Sequence, residues 1–277
     1  MKGLQFILSH SIFISFCAAA LCFQTFQLLH IKPDYFIYGL IFFSTLCSYN
    51  FYWLISKYYF TKINTDLYDF ILRNISNIVV FLIAAIGLFF CLYSIPVELP
   101  VILVAVFLTL LYSMPLWPIK KLAFTRKAGF LKTIILAFTW TYITIIIPAR
   151  VADQVSNIAI GLLFIARFLF MLMLCIIFDS RDIHIDKIRS LRSLATEVSR
   201  NTLHWIMIVV FVLYIIAGIL LRYYFDDNAQ VMAFLITGIF TFYIYKMSLS
   251  KRGYVFYYFI VDGLMLFSAI ATFVASF

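Results

Sequence analysis

The sequence predicts an all-α protein, a polytopic transmembrane helical bundle of about nine spans with its N-terminus inside and its C-terminus outside. Three observations predict it. Of the 277 residues, 65% are hydrophobic and only 12% are charged, where a soluble domain carries about 25% charged residues. Apolar runs of near twenty residues recur along the whole chain, each long enough to cross ~30 Å of hydrocarbon. The basic residues lie almost wholly on one side of the bundle those runs define. A transmembrane barrel would instead show alternating strands of about ten residues, and no such pattern is visible.

The nine spans fall at roughly 5–29, 35–56, 75–95, 99–114, 130–149, 155–178, 204–221, 229–247 and 254–276. They form a single integral-membrane domain over 1–277. The fourth is the shortest, with Pro100 near its start and Pro115 at its end. With the N-terminus inside, only Lys32, Arg150 and Arg222 of the 21 Lys and Arg fall outside, and Arg167 lies within a span. The positive-inside rule therefore fixes the orientation. This asymmetry and contact with anionic lipid explain the net charge of +9 without any nucleic-acid partner. The expected location is a bacterial inner membrane, with the basic face at the cytoplasm. Met1-Lys2 and the apolar run to Ala20 have the form of a signal peptide, but the apolar stretch continues to Leu29. We therefore expect a retained first helix.

Several classes of chemistry have no support. Cys17, Cys22, Cys47, Cys91 and Cys175 all lie inside spans and form no Cys-x-x-Cys, so they read as packing residues. The four histidines show no metal-ligand spacing. There is no Gly-rich phosphate loop and no nucleophile elbow.

In chain order, the second span carries the aromatic cluster Tyr49, Phe51, Tyr52, Trp53, Tyr58, Tyr59 and Phe60. It suits an interfacial belt or an aromatic wall beside a developing cation. Asn64-Thr65-Asp66 reads as a solvated loop or the N-cap of a short surface helix. Pro115 ends the fourth span, and Lys120 and Lys121 follow at the inner surface, where they serve topology. Thr139, Thr141 and Thr144 give the fifth span a polar side suited to interhelical hydrogen bonds. Arg167 is a basic residue deep in a span, and Asp262 is an acid deep in the last one. Each is costly in hydrocarbon, so an Arg167–Asp262 ion pair is expected.

The sixth span runs directly into Asp179-Ser180-Arg181-Asp182-Ile183-His184-Ile185-Asp186. If the helix continues past Phe178, Asp179, Asp182 and Asp186 share one face. Ser190 and Ser193 extend that face, while Arg181 and Arg192 point away from it. Three carboxylates on one stripe repel one another and need a cation. Hard oxygen ligands suit Mg²⁺, which keeps waters and bridges to substrate phosphate. The alternative is that these acids solvate a loop and pair with the neighbouring Arg and Lys.

Asp-x-x-Asp-x-x-x-Asp at the inner end of a transmembrane helix resembles the second aspartate-rich motif of the UbiA superfamily of intramembrane prenyltransferases. The family's Gly-x-x-Thr-Leu usually follows; here Ser190-Leu191-Arg192-Ser193-Leu194 occupies that place. Leu111-Tyr112-Ser113-Met114-Pro115 before Lys120 and Lys121 also resembles the family, as does the fifth span. The family's first motif, Asn-Asp-x-x-Asp-x-x-x-Asp, is degenerate: Asn50 matches its asparagine, but Phe51, Leu54 and Tyr58 occupy the aspartate positions. The resemblance implies a Mg²⁺-dependent transfer of a prenyl group from a polyprenyl diphosphate to a hydrophobic acceptor, an aromatic compound or a lipid. It implies that Asp179, Asp182 and Asp186 bind the metal and carry catalysis, and that Lys120, Lys121 and Asn50 bind the diphosphate. Two other readings stand beside it. One is a non-catalytic UbiA-like protein that binds lipid or a partner. The other is a transporter built on Arg167 and Asp262.

Overall fold

The computed structural model describes residues 2–61, 67–95, 97–113, 129–151, 155–188, 193–225 and 228–277. Among them there is no β-strand. The helices are α1 (Lys2–Ser9), α2 (Ile12–Leu28), α3 (Tyr35–Thr61), α4 (Leu67–Arg73), α5 (Ile75–Ser94), α6 (Leu99–Ser113), α7 (Gly129–Thr141), α8 (Ile147–Ala149), α9 (Asn157–Ile188), α10 (Leu194–Glu197), α11 (Arg200–Phe225), α12 (Asn228–Ser248) and α13 (Asp262–Val274). Two π-helical segments complete them. Tyr142–Ile146 joins α7 to α8, and Phe256–Val261 leads into α13.

Neighbours follow one another in the order α5, α3, α2, α13, α12, α11, α9, α7, α6. The outer faces are apolar, as lipid contact requires: Ile83, Ile86, Phe89 and Phe90 of α5 are all exposed. In a bilayer such faces need no further cover, because the backbone polar groups are satisfied within each helix.

The expectation of about nine spans is approximate. Six described helices are long and apolar enough to cross a bilayer, or seven if α1 and α2 count as one bent span. Helix α6 is apolar but short. Helix α3 has 27 residues, but its tyrosines, serines and Asn50 lower its hydropathy.

The first expected span is broken. Helices α1 and α2 meet at 68°, with Ser11 in the left-handed region at φ 61. The break frees the His10 carbonyl inside the protein, where an unpaired polar group is costly. Asn50 supplies the missing donor, its Nδ2 lying 2.9 Å from the His10 oxygen. The His10 ring adds a contact to the Ser76 hydroxyl of α5 at 3.1 Å.

Helices α3 and α5 make the most extensive contact in the bundle, and two glycines allow it. A Cβ on Gly87 would lie 2.8 Å from the Phe43 ring, and one on Gly39 would lie 2.7 Å from the Cys91 sulfur. Small residues at such crossings let membrane helices approach closely. Gly87→Ala is expected to cost about 1–3 kcal/mol by overpacking, read as a lower melting temperature in detergent, whereas Gly161→Ala, where a Cβ meets nothing within 4 Å, leaves it unchanged.

The five cysteines are free thiols, four of them buried. The stretch 62–66, with the expected cap at Asn64–Asp66, lies outside the described residues; the short helix α4 follows it.

Candidate active site

The condition on which the acid stripe depends is met. Helix α9 runs 32 residues without a break from Asn157 to Ile188, so Asp179, Asp182 and Asp186 stay in helical register. The side chain of Asp186 lies outside the described residues, as do Lys120, Lys121, Ser190 and Arg192.

The two described acids of the stripe have partners. Thr133 of α7 donates its hydroxyl to Asp179 Oδ2 at 2.6 Å. Thr133 escaped the sequence reading because it precedes the threonines that mark the polar side of the fifth span. Arg181 does not point away from the stripe as expected. Its Nε and Nη2 lie 2.7 and 2.9 Å from the two oxygens of Asp182, a bidentate clamp. The reason is an aromatic shelf. The guanidinium sits 5.0 Å from the Phe178 ring and 4.9 Å from the rings of both Tyr257 and Tyr258. Cation–π attraction draws it across the helix surface toward the last span. The fork of Arg then matches the carboxylate edge. Tyr257 and Tyr258 lie more than seventy residues away in sequence, and no local pattern announces the contact.

Asn50 is fully enclosed, at 0% exposure. Its Nδ2 is committed to the carbonyls of His10 and Leu46, while its Oδ1 has no hydrogen-bond partner among the described residues. Deeper in the bundle, the rings of Trp140 of α7 and Tyr49 of α3 meet edge to face at 6.3 Å.

The expected Arg167–Asp262 pair is not formed. Arg167 is 4% exposed and donates to neutral acceptors. Its Nη2 lies 2.7 Å from Gln24 Oε1, and its Nη1 lies 3.2 Å from the Leu21 carbonyl and 3.4 Å from the Thr144 hydroxyl. Gln24 passes the network on, donating to the hydroxyl and carbonyl of Ser268 at 3.0 and 3.1 Å. Arg167 thereby ties α2, α9 and α13 to the π segment of the fifth span. The expected interhelical role of the threonines there is met by Thr144, whose hydroxyl accepts from Arg167; among the described residues Thr139 and Thr141 bond only within their own helix. Thr139, Thr141 and Thr144 donate to carbonyls four residues back in their own helix, the usual habit of a helical Thr. A second interhelical bond runs through the backbone: the Thr144 carbonyl accepts from Thr25 at 2.8 Å.

Asp262 opens α13 directly after its π segment and is 3% exposed. Among the described residues its carboxyl has no hydrogen bond and no ion pair.

The donor set at the stripe is all oxygen, which fits Mg²⁺ and not a softer metal. No cluster of three His, Cys, Asp or Glu able to hold a metal occurs among the described residues, and Asp186 is not among those searched.

Taken together, these features define a polytopic helical membrane protein with the UbiA-type fold. Two solved structures share it over nearly their whole length. One is the apo structure of a UbiA homolog from Aeropyrum pernix K1, with TM-score 0.59 and 10% identity, covering 95% of this chain and 97% of that one. The other is a digeranylgeranylglyceryl phosphate synthase, with TM-score 0.59 and 14% identity, covering 100% of this chain and 99% of that one. No family model matches the sequence, and no curated protein does.

Proposed function

We propose that this protein is a Mg²⁺-dependent membrane prenyltransferase that moves a prenyl group from a polyprenyl diphosphate to a hydrophobic acceptor. The observation that carries the reading is the unbroken α9, which sets Asp179 and Asp182 on successive turns at one end of a UbiA-type bundle. Asp179, Asp182 and Asp186 would hold the metal. When bound, Mg²⁺ would neutralise the leaving diphosphate. By the distribution of basic residues in the sequence, Lys120 and Lys121 would add positive charge at this face. Asn50 would offer its unpartnered Oδ1 to the metal as a neutral ligand and not to the diphosphate, because its Nδ2 is committed to two carbonyls. The Arg181 clamp keeps Asp182 neutralised without metal and must yield when the carboxylate turns to a cation. Freed from Asp182, Arg181 stays on its aromatic shelf as a fixed positive charge beside the diphosphate. The distribution of Lys and Arg supports placing this end at the cytoplasmic face of a bacterial inner membrane.

One observation favours the non-catalytic reading instead: the second span lacks the family's acids, with Phe51, Leu54 and Tyr58 in their place. The transporter reading loses its basis, because Arg167 and Asp262 do not form the charge pair it needs.

The test is calorimetry on the purified protein with Mg²⁺ and inorganic diphosphate. Wild type is expected to bind weakly. Leu54→Asp, one turn beyond Asn50, is expected to tighten binding on the order of tenfold by adding one ligand charge. If neither protein binds, the enzyme reading fails and the non-catalytic one replaces it.

A further inference from the structure

Asp262 is the acid that the account so far leaves without work. It is 3% exposed in the interior of a membrane bundle, where a charge costs at least about 2.5 kcal/mol unless paired or hydrated. The deep cation Arg167 is held by Gln24, Leu21 and Thr144. Arg181 lies within electrostatic reach of Asp262, but its fork is occupied by Asp182. An intramembrane acid left in this state is a functional residue by default.

Its surroundings say what the function is. The charged and titratable groups that bear on it come from four helices or their ends: Cys17 of α2, Tyr49 of α3, Cys175 and Arg181 of α9, and Tyr254 just before its own π segment. Tyr49 is half-buried, and with Trp140, whose ring it meets edge to face at 6.3 Å, it presents an aromatic wall. Tyr258 fixes the depth. Its ring lies 4.9 Å from the Arg181 guanidinium and 6.4 Å from the Phe178 ring, so the start of the last span packs on α9 at the level of the acid stripe. Asp262 follows Tyr258 by four residues, about one helical turn, on the way back into the bundle. It therefore stands on the interior side of the stripe, where the reacting carbon of a diphosphate held there would lie. A π segment immediately precedes it, and such insertions occur frequently at functional sites because they re-aim the side chains that follow.

We propose that Asp262 is the proton acceptor of the transfer, taking the proton that the acceptor loses. This rests on the prenyl-transfer reading above. The bond between the allylic carbon and the diphosphate oxygen breaks, and its electron pair leaves with diphosphate. The acceptor's nucleophilic atom forms the new bond to that carbon. The acceptor's proton passes to the Asp262 carboxylate, which becomes a neutral carboxylic acid. The step uses the ionised form, which the Arg181 guanidinium within electrostatic reach supports, and enclosure makes that carboxylate a stronger base than one in water. A phenolic O–H, which ionises near pH 10, is within reach of such a base; a simple alcohol is much less so.

The experiment uses full-length protein in lipid vesicles, with a labelled polyprenyl diphosphate, Mg²⁺, and 4-methylphenol or 1-octanol as acceptor probe. Diphosphate release and prenyl transfer are followed separately. Asp262→Asn keeps the side-chain shape and cannot take a proton. It is expected to release diphosphate within about twofold of wild type but to transfer to 4-methylphenol about 10²–10⁴-fold more slowly, the scale of a lost general base. Raising the pH toward the ionisation of the phenol should restore part of the transfer, which a merely structural role would not do. Asp262→Glu, which retains the carboxylate, should keep measurable transfer and guards against misfolding of the amide variant. Transfer by Asp262→Asn within threefold of wild type overturns the proposal. So does a parallel loss of release and transfer, and so does wild-type transfer to 1-octanol but not to 4-methylphenol. A wild type that releases no diphosphate at all refutes the prenyl-transfer reading itself, a different result from any of these.

Discussion

Asp182→Ala is expected to lower metal-dependent release of diphosphate from a polyprenyl diphosphate by about 10²–10³-fold, the scale on which single charge-stabilising groups act. Ionising an allylic diphosphate leaves a concentrated anion, and in the proposed reading the carboxylates of α9 hold the cation that offsets it. Asp182 is the central member of the stripe. Without it Asp179 and Asp186 stand about 10 Å apart along the helix, too far to share one ion. The substitution also releases Arg181, but the three rings beneath that guanidinium keep it in place, so the fold should be undisturbed. The check is a release assay on wild type and variant with matched melting temperatures. Equal rates would remove Asp182 from the chemistry.

Arg167→Leu carries the largest expected effect on stability. The substitution deletes three hydrogen-bond donations and leaves Gln24 Oε1 facing an apolar side chain. Each buried polar group left without its partner costs about 1–3 kcal/mol, so a loss of about 3 kcal/mol is expected. The sum is moderated because hydrogen bonds within membranes measure nearer 0.6 kcal/mol on average. Denaturant titration of the reconstituted protein reads it. The partner experiment separates a neutral network from an ion pair: Asp262→Asn should leave stability unchanged, because no cation depends on that carboxylate. If Asp262→Asn cost as much as Arg167→Leu, the two residues would be coupled and the network described for Arg167 would be wrong.

What the sequence disclosed and what it hid follow from the range of the interactions. Apolar runs of helical length and the Asp-x-x-Asp spacing are local, and they led to the bundle, to the UbiA-type fold and to α9 as the central helix of the candidate site. The break between α1 and α2 was hidden because no Gly or Pro marks it. It is stabilised by Asn50, forty residues away, which the family pattern had suggested only as a diphosphate ligand. Arg181 was misplaced because helical periodicity orients the Cα–Cβ bond but not a long flexible side chain; Tyr257 and Tyr258 decide where it goes. The partner of Arg167 was misassigned by a charge argument that held only opposite charges in view. Gln24, the Thr144 hydroxyl and the Leu21 carbonyl satisfy a guanidinium as well, and neutral residues at such spacings send no signal in a sequence.

The measurement that bears most directly on the account is release of labelled diphosphate from a polyprenyl diphosphate by the wild-type protein in lipid vesicles, with Mg²⁺ present and then removed by a chelator. The account predicts release well above the protein-free rate, lost on chelation and restored when Mg²⁺ is returned. Release no faster than in protein-free vesicles, across short and long prenyl chains, would contradict it.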